Sequence, residues 1–328
     1  MTTAAPARAF RAADKATTGA DLSVELSRTD LGEIRTVPRR HPVRWLVAAG
    51  ALVLFAQFAH GLIVNPGWDW PTFAKYFTAT SIANALWTTV RLTFWGTALG
   101  FLFGGLLAAA RLSASPVLNV LAWGYVWVFR SIPLIVQVLF WFNISYLYSD
   151  VGLGVPFGPQ LVHVNVNSTI SEATAAVIAL SLHQAAYAAE IIRGGVASVD
   201  PGQREAAEAL GIPRIRQTLR IVLPQAMRGI LPNAANEIIN LFKGTSIVSV
   251  VAISELFYQV QVIYGRNGRV VPLLMVATVW YLVLTTLLTI AQHAIERRFS
   301  RGVGRARPAT LWQKARGRWA GLVRAARA

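Results

Sequence analysis

One segment of this sequence reads Glu205-Ala206-Ala207-Glu208-Ala209-Leu210-Gly211 and continues, nine residues later, with Ile221-Val222-Leu223-Pro224. The order is E-A-A, three residues, G, nine residues and I-x-L-P, which fixes seven residue types within twenty positions. The segment contains several arginines and lies between long apolar runs. Because charged side chains are costly inside a bilayer, we expect it to lie in water at the surface of a membrane.

The composition around this segment is that of a membrane protein. Of the 328 residues, 54% are hydrophobic and 14% are charged, whereas soluble domains contain about 25% charged residues. The net charge is +16, with eight Lys and Arg before Trp45 and ten after Ala294. This distribution predicts that both termini lie in the cytoplasm. We expect no nucleic-acid partner, because the basic N-terminal tail lacks interleaved aromatic residues.

Apolar runs of about 20 residues, the length needed to cross a bilayer, predict six membrane-spanning helices. Three runs are uncharged, over residues 45–64, 92–110 and 271–294. Three are less regular, over residues 132–148, 173–189 and 244–263. The span at 132–148 would follow an interfacial or tilted segment from residue 117 and be kinked at Pro133, which has no backbone N–H. The predicted fold class is therefore an all-α membrane protein with about six transmembrane helices.

The segment between the fourth and fifth spans predicts two short helices joined by a turn. Asp200 can cap a helix over residues 201–210, and Pro201 suits its first position. Gly211 can supply a left-handed C-cap, and Pro213 can open the next helix. We expect this second, basic helix to end at the membrane, at Leu223-Pro224.

The first of these helices has a surface that suits a partner. Ala206 and Ala207 form a thin face that allows close approach, and Glu205 and Glu208 lie on one side, where they could pair with a basic surface. On composition alone, a solvated connector without a partner is the alternative, because charged runs are usually solvated.

The complete pattern resembles the cytoplasmic docking loop found in the membrane subunits of bacterial ABC importers. Seven residues match it position by position: Glu205, Ala206, Ala207, Gly211, Ile221, Leu223 and Pro224. The resemblance implies that this helix inserts into a cleft on a separate ATPase subunit, whose closing is transmitted through it.

Other stretches are similar to one group of these importers. Arg130-Ser131-Ile132-Pro133-Leu134 resembles the "FRGTPL" segment of the polar amino-acid permeases, the histidine, glutamine, glutamate and arginine uptake group, with Ser-Ile in place of Gly-Thr. Residues 186–195, 202–203, 223–226 and 241–246 also resemble this group.

The resemblance divides the chain into four parts. Residues 84–293 would form a five-helix ABC type I permease core, and residues 43–65 an extra N-terminal transmembrane helix. We expect residues 1–42 to be a disordered cytoplasmic tail. Residues 294–328 would be a basic cytoplasmic tail, either an amphipathic helix on the membrane or disordered.

The function implied by the resemblance is inward transport of a polar amino acid, or a related small polar solute, by alternating access across the bacterial cytoplasmic (inner) membrane. The implied partners are ABC ATPase subunits, a second permease subunit (self or sister), an extracytoplasmic solute-binding protein and membrane lipid. The alternative is a secondary transporter or channel that works without ATP. It would show inverted repeats and mid-span charges, and neither is evident.

The sequence contains no motif for catalysis or for nucleotide binding. G-x-x-x-x-G-K-[ST] occurs nowhere, and neither H-E-x-x-H nor G-x-S-x-G is present. The chain contains no cysteine, so it has no thiolate metal site. We therefore expect no enzymatic activity, no metal and no cofactor in this chain, with ATP used by the partner subunit.

Polar residues in the fourth span are candidates for a substrate pathway. His183, Gln184 and Tyr187 are predicted on one side of that span, and Glu190 lies at its end. Because polar groups are costly in a membrane, such residues tend to be functional. The alternative is that a neighbouring helix satisfies the histidine.

Other features of the spans have structural explanations. For Arg91 and Arg130, anchoring at an interface or pairing within the bundle is expected. Gly96, Gly100 and Gly104 share one face of the second span, where they allow close helix packing, either within the chain or between subunits.

Overall fold

The computed structural model describes residues 42–148, 150–154, 160–166 and 170–299. Within them the chain is helical apart from one hairpin, which confirms the predicted fold class. The helices are α1 (Pro42–Val64), α2 (Trp70–Phe77), α3 (Thr80–Arg111), α4 (Pro116–Ser131), α5 (Leu134–Phe142), α6 (Glu172–Ala197), α7 (Pro201–Ala209), α8 (Arg214–Gln217), α9 (Leu223–Gly244), α10 (Leu256–Asn267) and α11 (Val270–Phe299). Short 3-10 helices cover Pro66–Trp68, Ile144–Tyr146 and Thr245–Val251, and a π-helix covers Thr218–Val222. The predictions for residues 1–41 and 300–328 lie outside the described residues.

The hairpin lies in the loop between α5 and α6. Strand β1 (Asp150–Gly154) pairs antiparallel with β2 (Gln160–Asn165), and Asp150 lies opposite Asn165. Asn165 Nδ2 donates a hydrogen bond of 3.0 Å to Asp150 Oδ1. No strand was predicted from the sequence, because runs of five and six residues do not stand out within a loop.

The chain divides into two units, Met1–Val64 and Asn65–Ala328. In the first unit, α1 has no Asp, Glu, Lys or Arg after Arg44 and is long and apolar enough to cross a membrane. This agrees with the span predicted at residues 45–64. All other elements belong to the second unit.

In the described part of the chain, four helices are long and apolar enough to span a membrane, and the number rises to six if each of two bent pairs counts as one span. The four are α1, α3, α6 and α11. The pair α4–α5 is bent by 102°, which confirms the kink predicted at Pro133, but the helix that follows the kink ends at Phe142 and does not continue to residue 148. Ile132 has an extended backbone, as expected for a residue that precedes a proline.

Residues 244–263, which were predicted to form one span, do not form one continuous helix. A 3-10 helix covers Thr245–Val251 and stops at Ala252, whose φ is 59°. The chain then enters α10 with Glu255 as N-cap. The bent pair that satisfies the length and apolarity criteria is Arg214–Val251 with Leu256–Asn267, so this crossing also uses α9.

The carboxylate of Glu255 is buried and fully hydrogen-bonded. It accepts from Tyr258 N at 2.6 Å, from Tyr281 Oη at 3.2 Å and from Thr89 Oγ1 at 3.5 Å. A carboxylate at a helix N-terminus satisfies the free N–H groups there. Glu255 therefore joins α10 to α3 and α11.

The core is organised around the contact between α3 and α6. A Cβ atom added at Gly100 would lie 2.5 Å from the Gln184 side chain, and one at Gly104 would lie 2.5 Å from Ala188 Cβ. The two helix backbones therefore approach closely because these positions have no side chain. The glycine stripe makes an intramolecular contact, in agreement with the first of the two predicted uses.

Candidate docking loop and polar cavities

The loop between α6 and α9 begins with a helix capped at both ends. Asp200 Oδ1 accepts from Gly202 N at 2.8 Å, and Pro201 occupies the first helical position of α7. At the other end Gly211 has a φ of 65°. Gly211 N donates to Glu208 O at 2.9 Å and Ile212 N to Ala207 O at 3.0 Å. These two bonds form a Schellman motif, so the predicted helix and its glycine cap are confirmed.

Only part of the predicted partner face points outward. Glu205, Ala206 and Glu208 are exposed, whereas Ala207 is buried against the chain itself. The thin face available to a partner is therefore formed by Ala206 and not by Ala207.

Sequence reasoning missed three large apolar side chains on the same loop. Leu210, Ile215 and Leu219 are 77%, 74% and 58% exposed. Their spacing of five and four residues crosses the Gly211 turn, so no helical periodicity in the sequence identifies them as one group. Exposed apolar side chains surrounded by charged ones are typical of a protein interaction surface.

The second half of the loop does not end where it was predicted to end. The helical backbone continues from α8 through the π-helix into α9, and Pro224 is the second residue of α9. Leu223 N donates to Thr218 O, five residues back. This wider turn accommodates the proline ring, which would otherwise crowd the carbonyl four residues earlier.

The loop is firmly attached to both helices that it connects. Arg204 Nη2 donates to Val196 O at the end of α6, at 3.0 Å. The buried Gln217 side chain donates to Ile212 O at 2.8 Å, across the turn. A small apolar core joins the loop to α6 and α9; its buried members are Val199, Val222, Ala226, Ile230 and Ala234.

The candidate pathway residues on α6 do not all lie together. The His183 ring is 4.9 Å from the Tyr187 ring, centroid to centroid, and His183 Nδ1 is 3.1 Å from Gln137 Nε2 of α5. A neighbouring helix therefore satisfies His183, as the alternative interpretation predicted. Gln184 is fully buried against Gly100 of α3 and is not among the residues that line the cavities at Tyr187. The structure brings together His183, Tyr187 and Glu190, but not Gln184.

Two polar cavities adjoin α6 and share three lining residues, Arg130, Tyr187 and Glu190. One, of about 320 Å³, lies among α3, α4 and α6 and is lined also by Arg111. The other, of about 370 Å³, lies among α4, α6 and α9. Its α9 lining residues are Asn233, Asn236 and Glu237.

The charges around these cavities differ in how they are balanced. Arg193 Nη2 lies 2.8 Å and Arg111 Nη2 lies 3.5 Å from the carboxylate of Glu190. The Arg130 guanidinium instead lies 5.2 Å from the Tyr187 ring centroid, a cation–π contact. Among the described residues, neither Arg130 nor Glu237 forms an ion pair within 4.0 Å. The larger of the two cavities is thus lined by a cation, Arg130, and an anion, Glu237, that are not joined in an ion pair.

Sequence reasoning did not identify Glu237, Asn233 and Asn236 as site residues. The signal was present, because these polar residues recur at helical spacing between apolar ones. It was overlooked because the fifth span was predicted to begin only at residue 244. Among the described residues, no group of three or more His, Asp or Glu side chains could hold a metal ion.

Comparison with known proteins gives consistent matches. Residues 100–301 match the model of the family described as "Binding-protein-dependent transport system inner membrane component". The chain is 39% identical to the arginine transport system permease protein ArgU of Corynebacterium glutamicum over 82% of this chain and 84% of that protein. It is 34% identical to the L-cystine transport system permease protein TcyB of Bacillus subtilis over 71% of this chain and 100% of that protein.

A solved structure is also similar. It is the crystal structure of an amino acid ABC transporter with histidines. Its sequence is 32% identical to this chain, and the two structures superpose with a TM-score of 0.56. The match covers 66% of this chain and 94% of the other.

Proposed function

Because this chain belongs to the family of binding-protein-dependent transport system inner membrane components, we propose that it moves a polar amino acid or a related small polar solute inward across the bacterial inner membrane by alternating access. The chain is the permease subunit of an ABC amino-acid importer. An ATP-independent transporter or channel is not favoured, because the similar solved structure is that of an ABC transporter. The observation that carries the mechanism is the capped, rigidly attached loop with its exposed apolar side chains.

The loop would dock on an ATPase subunit. Ala206 allows close approach, and Leu210 with Ile215 would fill an apolar cleft on that subunit. Glu205 and Glu208 would face basic groups at the rim of the cleft. ATP hydrolysis would then occur in that subunit.

The other residues of the pattern would shape the loop without touching the partner. Ala207 packs inward, Gly211 makes the turn, and Ile221, Leu223 and Pro224 lead the backbone into α9. Their proposed role is to hold the docking surface in place relative to α6 and α9.

The larger polar cavity would be part of the substrate pathway. Arg130 suits the carboxylate of an amino acid, and Glu237 suits its ammonium group. A volume of about 370 Å³ lies in the usual range for small-molecule sites. Tyr187 and Glu190 would line the same path and His183 would support Tyr187, whereas Gln184 would serve the packing of α3 on α6.

Further partners follow from the same arrangement. A polar cavity cannot face lipid, so we propose that a second permease subunit, identical or related, covers it. A soluble binding protein would deliver the solute on the outer side, and both termini would lie in the cytoplasm.

A pull-down combined with an uptake assay tests this function. The unaltered full-length chain, extracted from its native membrane, is expected to retain an ATPase subunit, and cells that produce it are expected to take up labelled amino acids. Leu210→Asp should remove both properties, because it places a charge in the apolar part of the docking surface. Leu112→Asp is the matched control, since Leu112 is also exposed but lies outside the loop. The proposal fails if no ATPase co-purifies with the unaltered chain, or if Leu210→Asp behaves like Leu112→Asp.

A further inference from the structure

The two ends of the membrane-spanning part of α3 are marked by arginines. Arg91 and Arg111 are twenty residues apart on one continuous helix, which corresponds to about 30 Å at 1.5 Å per residue. This is the thickness of the hydrocarbon core of a bilayer. Arg111 lies at the end of α3 that leads to the charged Glu190 cluster. With the docking loop on the cytoplasmic side, as proposed above, Arg91 lies at the opposite boundary, at the level of the lipid head groups of the outer leaflet.

Arg91 is an exposed cation without a protein partner among the described residues. It takes part in no ion pair there. It lines a cavity of about 560 Å³ together with Trp87, Val90, Phe94 and Trp95. Trp87 and Trp95 lie one turn to either side of it and are 62% and 48% exposed. Tryptophan favours the membrane interface, which agrees with the depth derived from helix length.

An apolar slot adjoins this cavity on the side that points into the membrane. The slot has a volume of about 470 Å³ and shares Val90 and Phe94 with the cavity at Arg91. It runs between α3, α9 and α11, where Phe242 and Leu287 are among its lining residues. Together, the cavity and the slot form one site with a charged end at the membrane boundary and an apolar end in the hydrocarbon region.

We propose that this combined site binds one anionic phospholipid of the outer leaflet, with its phosphodiester on Arg91 and one acyl chain in the slot. A guanidinium forms charge-assisted, bidentate hydrogen bonds with phosphate. A net negative head group compensates a cation that no protein group neutralises in the described part of the chain. A protein helix in the same place would have to supply a carboxylate at head-group depth, whereas a phospholipid has both chemistries at the right separation.

Native mass spectrometry of the full-length chain, extracted with the subunits that co-purify with it, tests the site. After detergent washing, phosphatidylglycerol is added, and phosphatidylcholine in a parallel sample. The unaltered chain is expected to retain one phosphatidylglycerol, and Arg91→Ala to retain about tenfold less, as for loss of a charge-assisted hydrogen bond. Arg91→Lys, which keeps the charge, should retain most of it. Arg266→Ala removes an exposed arginine elsewhere and should change nothing.

Two further variants make the result decisive. Ala98→Trp fills the slot and leaves Arg91 in place, so it should also lower phosphatidylglycerol retention. Because the chain contains no cysteine, Trp95→Cys provides a single reactive position. A cross-linked dimer through that position in native membranes would mean that a second copy covers the groove, and would overturn the proposal. Equal retention of phosphatidylglycerol by Arg91→Ala and the unaltered chain would overturn it as well.

Discussion

Gly211 and Asp69 illustrate how single residues fix the geometry of this permease. Gly211 has a φ of 65°, in the left-handed region that is unfavourable for residues with a Cβ atom. No atom lies within 4 Å of the position where a Cβ would be placed, so the need for glycine comes from the backbone alone. Asp69, with a φ of 43°, is one of two non-glycine residues with positive φ among the described residues, and its carboxylate makes two different contacts.

Replacing Gly211 should loosen the turn that ends α7. Gly211→Ala introduces left-handed strain of about 1–2 kcal/mol, so the hydrogen bond from Ile212 N to Ala207 O should open more often. Hydrogen exchange of the Ile212 amide should become about tenfold faster, and uptake should fall. Gly194→Ala is the control, because Gly194 lies near the end of α6 with no positive φ and with no atom within 4 Å of its Cβ position. If both variants exchange alike, the strain argument is incorrect.

The carboxylate of Asp69 should make the N-terminus of α2 sensitive to acid. Hydrogen bonds from Thr72 lower the pKa of Asp69, and the Arg269 guanidinium, 2.7 Å away, lowers it further. A carboxyl whose pKa is lower in the folded state contributes stability above its unfolded pKa, and this stability is lost as the pH falls through the folded pKa. Protection of the Thr72 amide, corrected for intrinsic exchange, should therefore decrease on acidification.

Asp69→Asn provides the matched control for this titration. Asparagine tolerates a positive φ and can still cap the helix, but it does not ionise. In this variant the Thr72 amide should be less protected than in the unaltered chain. Its protection should also no longer decrease on acidification, because residue 69 cannot be protonated. An unchanged acid response in this variant would assign the effect to another group.

At the level of elements, regular helices were predictable from the sequence and broken ones were not. The spans in α3, α6 and α11 follow from long apolar runs, although α3 begins twelve residues before the run predicted at 92–110. The break between α4 and α5 was predicted at Pro133, but neither its angle of 102° nor the 3-10 segment between α9 and α10 was predicted, because neither changes the composition. The sequence pattern for the loop predicted its helix and turn, but it could not tell that Ala207 points inward, since that depends on the packing of α6 and α9.

The contact between α3 and α6 should be intolerant of added volume at Gly104. A Cβ there would lie 2.5 Å from Ala188 Cβ and 2.9 Å from Ala185 O. Overpacking of this kind costs about 1–3 kcal/mol, so Gly104→Ala should lower the thermal unfolding temperature of the detergent-solubilised protein. Gly105→Ala is the adjacent control, because no atom lies within 4 Å of its Cβ position. Its effect should be neutral or slightly stabilising, and a similar loss in both variants would contradict the packing argument.

On the scale of the whole molecule, the docking loop and the larger polar cavity are built on the same two helices. The loop connects α6 to α9 and is tied to α6 by Arg204. The cavity is lined by Tyr187 and Glu190 of α6 and by Glu237 of α9. Glu190 lies seven residues, or about 10 Å of helix, before the end of α6 at Ala197. A partner that moves the loop would therefore move both walls of the cavity, without a separate linkage.

This arrangement makes the cavity and the docking surface separable by mutation. Arg130→Gln and Glu237→Gln each remove one charge from the cavity and leave the loop unaltered. Because each would remove a charge-assisted hydrogen bond to a zwitterionic substrate, we expect the apparent KM for uptake to rise about tenfold in each variant. Co-purification of the ATPase should be unaffected, which distinguishes these variants from Leu210→Asp. Arg266→Gln removes an exposed charge elsewhere and should leave KM unchanged. If Arg130→Gln and Glu237→Gln transport with the KM of the unaltered chain, the substrate does not pass between these two side chains.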